Sequence, residues 1–295
     1  MPGFKTELDL GSILTMQMSA PEFRRWDAKS ITLLGMSGVG KTYLSTRLRQ
    51  AHWFHYSADY RIGTRYLNEP ILDNIKQQAM QVPFLRELLR TDSIYISNNI
   101  TVDNLTAVLT FLGKLGEAQR GGLELPEFKR RQQLYRDAEV AAMLDVPDFI
   151  RKAHEIYGYQ HFVNDSAGSL CELDDPTVLK VLAENSLIVY IEATADNGRE
   201  LLRRAESDPK PLYYRPEFLD TQLAEFMRAR QIASPTQIVP DEFVLWMFPR
   251  LFAARVPRYE AIARAYGYTV RADEIAAVQS ETDFLTCIER ALGAN

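Results

Sequence analysis

Eight consecutive residues carry the plainest chemistry of this chain. Gly35-Met-Ser-Gly-Val-Gly-Lys-Thr42 has the G-x-x-x-x-G-K-[ST] spacing of a phosphate-binding loop. Gly35, Gly38 and Gly40 admit backbone conformations closed to other residues. With Met36, Ser37 and Val39 between them, the loop is expected to turn successive N–H groups toward a β-phosphate. Lys41 is the expected partner of the β- and γ-phosphates, and the Thr42 hydroxyl the expected ligand of Mg²⁺. The chemistry implied is handling of a nucleoside triphosphate, with ATP as donor, and the loop by itself names no reaction.

Such a loop needs a strand before it and a helix after it. Residues 31–34 are a short apolar run, and residues 43–50 repeat their apolar positions at helical spacing. Further strands are predicted at 53–56, 161–164, 187–191 and 268–270. Helices are predicted at 71–89, 105–115, 177–183, 216–230, 241–254 and 280–292. Short apolar strands alternating with helices predict an α/β fold of three layers. A parallel sheet lies between helices on both faces, and ligands sit at the carboxyl ends of the strands. The segment 66–130 breaks that rhythm and reads as an inserted helical cap within a core of 30–65 and 131–295, while 1–29 reads as an extension, its first ~25 residues loosely held.

Composition narrows the class. The chain has 295 residues, 46% hydrophobic and 25% charged, enough for a sizeable core. A net charge of −5 without a long basic run argues against a nucleic-acid surface. Cys171 and Cys287 form no disulfide framework, which fits a reducing cytoplasm, and no apolar run reaches the ~18 residues of a membrane span. His52, His55, His154 and His161 lack the spacing of a metal pair on one helix and are expected to be structural. The aromatic residues of 241–252 fall at helical spacings and are expected to build core.

Beyond the loop, collinear segments make the chain similar to the shikimate kinase branch of the nucleoside-monophosphate-kinase-like phosphotransferases. Ser57-Ala-Asp59 stands where that family has Asp-x-Asp, with Asp59 at the acceptor-binding carboxylate and Ser57 at the other. Tyr135-Arg-Asp-Ala-Glu139 resembles Phe-Arg-x-x-Glu, placing Arg136 where an arginine pairs with the acceptor's carboxylate. The stretch 162–169 resembles the strand and triple-glycine turn beneath the acceptor, with Gly168 retained and Ser166 and Ala167 replacing the other two glycines. The segment 187–192 resembles the strand that follows. The region 201–212 resembles the mobile lid, with Arg203, Arg204 and, in place of an arginine, Lys210. Arg255-Val-Pro-Arg-Tyr-Glu-Ala-Ile-Ala263 resembles the helix whose arginine, here Arg255, contacts the same carboxylate. The likeness spans roughly 31–65 and 130–292 and leaves the cap unmatched, so a different and larger acceptor is implied.

Phosphoryl transfer asks a protein for positioning and charge neutralisation. Asp59 is expected to orient an acceptor hydroxyl or take its proton, or else to be a solvated turn acid. Asp165, at a strand end, is expected to hold Mg²⁺ directly or through water, or else to cap the next turn. Arg136 and Arg255 offer planar forks to an anionic acceptor, with surface ion pairs as the alternative. Arg203, Arg204 and Lys210 form either a closing lid or a solvated helix face. Arg61 and Arg65 either line the pocket or face solvent. Together these residues predict an ATP- and Mg²⁺-dependent kinase acting on a hydroxyl of an anionic small molecule. The alternative is a nucleotide-switched ATPase that uses the insertion as a partner surface.

Overall fold

The computed structural model describes residues 16–293. Its centre is a five-stranded parallel sheet of β1 (Ser30–Leu34), β2 (Trp53–Ser57), β3 (His161–Asp165), β4 (Leu187–Glu192) and β5 (Gly267–Arg271), in the order β2-β3-β1-β4-β5. Every residue of β1, four of the five in β3 and five of the six in β4 are buried. Consecutive buried residues point to opposite faces, so both faces of the sheet are covered. The five predicted strands are all present, each longer than expected by one or two residues.

Helix boundaries moved where proline and glycine act. The helix expected over 71–89 is two, Asn68–Ala79 and Pro83–Arg90. Pro83 has no N–H to continue the ladder and holds Val82 extended at φ −91°, ψ 114°. The helix expected at 105–115 is Thr106–Leu112, stopped at Gly113, whose φ is +69°. Conversely, 241–254 and the segment after it form one 27-residue helix, Pro240–Tyr266, with Pro249 and Pro257 inside it. Tyr259 of that helix stacks on Tyr190 of β4 at 5.3 Å between centroids, one of the contacts that seats the helix on the sheet.

Two apolar clusters organise the chain. The larger surrounds the sheet and includes Ile71, Ile100, Val108, Phe111 and Leu112 from the insertion. The smaller joins Leu115 and Phe128 to Leu219, Leu223 and Phe226 of the Pro216–Arg230 helix and to Phe243 and Met247. The segment 66–130 is therefore divided between the sheet's core and a helical lobe that it shares with 212–251. At the N-terminal end, the helix Ala20–Arg25 buries Phe23, and Arg24 Nε meets Glu289 Oε2 at 2.8 Å on the Glu281–Gly293 helix. This part of the extension is docked, and the remainder of that expectation, 1–15, lies outside the described residues. No helix among the described residues is long and apolar enough to cross a membrane.

Candidate active site

Strand register brings three loops together. Leu33 of β1 and Ser57 of β2 both pair with Asp165 of β3, so the chain leaves all three strands at one level. The glycine loop leaves β1, Asp59 follows β2, and the turn to Gly168 follows β3. The loop runs from Gly35 to Gly40, and the Lys41–Gln50 helix begins directly after it. Gly35 adopts φ +144°, and a Cβ there would lie 2.7 Å from the Ile191 carbonyl oxygen. Gly168 makes the complementary approach, where a Cβ would lie 2.7 Å from the Ser37 backbone nitrogen. The turn after β3 thus rests on the phosphate loop itself. Met36 and Val39 point into the core and offer only backbone, whereas Ser37, Gly38, Gly40, Lys41 and Thr42 line a cavity of about 260 Å³.

Asp59, Asp165 and Gly168 line the same cavity. Lys41 is buried, and its ammonium donates to the carbonyls of Gly35 at 2.7 Å and Met36 at 3.0 Å. Burial lowers its pKa, while Asp165 and Asp59 pull it back upward. Burial raises the Asp59 carboxyl to about 6, the Asp165 charge adds to the rise, and Lys41 opposes it. Tyr135 donates its hydroxyl to Asp59 Oδ1 at 3.2 Å. Ser57, standing at the first carboxylate position of the resembled motif, caps the short Ala58–Arg61 helix by accepting from the Tyr60 N–H. Behind Asp165 lies His55, its side chain buried and its Nε2 3.4 Å from Asp165 Oδ2.

The Thr42 hydroxyl and Asp165 carboxylate are hard oxygen donors on one wall. Among the described residues no group of three or more His, Cys, Asp or Glu gathers into an all-protein metal site. A donor set that sparse suits a cation completed by phosphate and water, as Mg²⁺ is, and the residues present fit it.

A second cavity of about 100 Å³ shares Ser37, Asp59 and Gly168 with the first. Its other walls are Leu105, Val108, Leu109 and Leu112 of the insertion, the stacked rings of Tyr135 and Tyr213, and Pro211, Leu212, Ser169 and Arg255. Arg255 is where the sequence placed it, but its fork is committed. Nη1 donates to Gly168 O at 2.7 Å and Nη2 to Tyr213 O at 2.8 Å. Arg136 lies elsewhere and donates Nε and Nη2 to Leu173 O. On the Leu125–Leu144 helix it is Tyr135 and Glu139, four apart, that turn inward, and the next residue, Arg136, is rotated about 100° away.

The expected lid cations are not gathered at the phosphate cavity. Arg203 and Arg204 are exposed on the Ala195–Ser207 helix and bind Glu200, and Lys210 lies 3.4 Å from Asp208. They line neither cavity. Arg61 pairs with Asp145 at 2.7 Å over the Phe149 ring, away from both cavities.

Two buried acids were not singled out by sequence reasoning. Glu139 receives the Ser169 hydroxyl, and burial pushes its carboxyl up to about 8, with Ser169 pulling downward and Asp59 adding to the rise. Between the ordinary 4.5 and about 8 the folded chain holds a proton that the unfolded chain has released, so stability falls as pH rises across that window. Glu139→Gln removes this slope. The difference in melting temperature between variant and wild type is expected to widen in the variant's favour from pH 5 to pH 8, as thermal unfolding at both pH values would show.

Glu172, fully buried, faces Arg215 Nε at 3.5 Å, Arg258 Nε at 3.8 Å and Arg255 Nε at 4.0 Å. Glu172→Ala strips the counter-charge from the buried Arg255, while Arg215 and Arg258 keep Asp174. The expected loss is about 3–5 kcal/mol, seen in urea unfolding as a lower midpoint.

The parallel order β2-β3-β1-β4-β5, with the glycine loop passing from β1 into a helix, defines an α/β P-loop fold with extra helices. No protein-family model matches the chain, and no curated protein matches it. Among solved structures it is similar to shikimate kinase from Bacteroides thetaiotaomicron, at 14% identity over 90% of this chain and 97% of that one, with a TM-score of 0.37.

Proposed function

We propose that this chain is an ATP- and Mg²⁺-dependent phosphotransferase that moves the γ-phosphate to a hydroxyl of a small molecule. The observation that carries this reading is the position of Asp59 on the wall common to the phosphate cavity and the second cavity. A hydroxyl held in the second cavity meets the donor phosphate across that carboxylate. Asp59 accepts the hydroxyl proton as the new O–P bond forms, and the bond to the β-phosphate oxygen breaks to release ADP. Lys41, freed from its own loop carbonyls, neutralises charge on the transferred group. Thr42 and Asp165 would hold Mg²⁺, which would supply further charge neutralisation at the phosphate oxygens.

The test is whether ADP release from ATP accelerates with added small alcohols, sugars or hydroxy acids, and whether a phosphomonoester accumulates with it. ATP hydrolysis that no acceptor stimulates and no phosphomonoester accompanies would refute the reading.

One observation favours a second reading, a nucleotide-switched binding protein. The Pro83–Arg90 helix buries none of its residues, and Phe84 and Tyr95 of the insertion are 72% and 87% exposed. Acceptor-independent turnover is the result that reading requires.

A further inference from the structure

Resting on the kinase reading, the walls of the second cavity define what its acceptor must be. Leu105, Val108, Leu109 and Leu112 of the insertion face Tyr135 and Tyr213, whose rings stack at 5.9 Å. Ser37, Asp59 and Gly168 mark the end where this cavity meets the phosphate cavity, and its other polar side chains are Ser169, Arg255 and the two tyrosine hydroxyls, that of Tyr135 being bonded to Asp59.

Charge is distributed against an anion. Arg255 is the one cation on this wall among the described residues. Its two terminal nitrogens are held by the carbonyls of Gly168 and Tyr213, and its Nε faces the buried Glu172. Arg136, the other expected clamp, is spent on Leu173 O. Asp59 presents a carboxylate. A carboxylate entering here loses its water, meets the Asp59 carboxylate and finds a single cation whose charge Glu172 already balances, which is the unfavourable case for burying an ion. An aliphatic body meets the four hydrocarbon side chains of the insertion, Pro211, Leu212 and the two tyrosine rings. The size is small, since an apolar cavity of about 150 Å³ takes one benzene, and this one is about 100 Å³.

We propose that the acceptor is an uncharged alcohol with a short apolar body, its hydroxyl directed at Asp59 and its hydrocarbon held between the insertion leucines and the Tyr135–Tyr213 pair. The insertion is then the specificity element. Leu109, half-buried on the Thr106–Leu112 helix, contributes hydrocarbon where a clamp for an anion would need a cation.

Matched probes test this by their binding to the full chain with ADP and Mg²⁺, followed by ligand-observed NMR. Butan-1-ol and 3-methylbutan-1-ol represent the neutral class, and 4-hydroxybutanoate replaces the terminal methyl of butan-1-ol with a carboxylate. The expected result is at least tenfold tighter binding of the neutral alcohols, and a reversal of that order in Leu109→Lys. Leu105→Lys is the second variant, used if Leu109→Lys melts far below wild type. Equal or tighter binding of 4-hydroxybutanoate to wild type, or no binding of either neutral alcohol, overturns the proposal. Phosphate transfer in parallel samples with ATP reports separately on the kinase reading. Alcohols that bind without being phosphorylated would sink that reading and leave the assignment of the pocket standing.

Discussion

Lys41→Met is expected to reduce phosphate transfer by about a thousandfold, the scale on which a preorganised charge stabiliser acts, and to weaken ATP binding as well. Lys41 is the cation between Asp59 and Asp165, and both carboxylates raise its pKa against the lowering effect of burial. Methionine retains the length and removes the charge. The two acids then face each other without compensation, and the Asp59 carboxyl, already raised to about 6, is driven further up. The substitution thus removes the phosphate partner and protonates the base in one step. Steady-state ADP release together with an ATP titration separates the two effects. A variant within tenfold of wild type in turnover would show that the loop's lysine is not part of the chemistry.

Asp59→Asn carries the second large effect, a loss of about 10²–10⁴ in transfer with nucleotide affinity nearly unchanged. The amide oxygen still receives the Tyr135 hydroxyl, so geometry is conserved while the proton acceptor is lost. Wild-type activity is expected to fall on the acid side as Asp59 protonates near pH 6, and the residual activity of the variant to lack that limb. Stability moves the other way. The folded chain holds the Asp59 proton more tightly than the unfolded chain, so stability falls as pH rises from the ordinary 3.8 to about 6, a cost that the amide avoids. Asp59→Asn should melt higher than wild type at pH 8, and this advantage should vanish below pH 4. A catalytic loss paired with a gain in stability marks a group placed for function. A variant that transfers phosphate normally, or that melts lower at pH 8, contradicts the assignment.

The glycine loop and the elements that flank it were legible because their information is local. The glycine spacing fixes the backbone path, the lysine and threonine follow at fixed offsets, and the apolar run before them is strand β1. Asp59 and Asp165 were legible for a related reason. Each lies at or just beyond the carboxyl end of a short apolar strand, where a parallel sheet gathers its functional groups. Arg136 was misplaced because a motif records sequence order and not helical phase. One residue along a helix turns a side chain by about 100°, and here that step separates the cavity, faced by Tyr135, from the Leu173 carbonyl. Arg203, Arg204 and Lys210 were read as a lid from the resemblance of 201–212, with a solvated helix face as the alternative, and their nearest acids, Glu200 and Asp208, hold them at the surface.

By itself, then, the sequence determined a parallel α/β core, a phosphate loop and the acids at two strand ends, since periodicity and short-range spacing specify each of these. Tertiary structure alone decided the acceptor side. Leu105 and Leu109 share a cavity with Asp59 only because the insertion folds over the strand ends, and Arg255 is anchored there only because two distant carbonyls arrive at its fork. Contacts between residues 40 to 90 positions apart leave no periodic trace in the chain, so the pocket's preference for an uncharged body emerged only when those distant segments met.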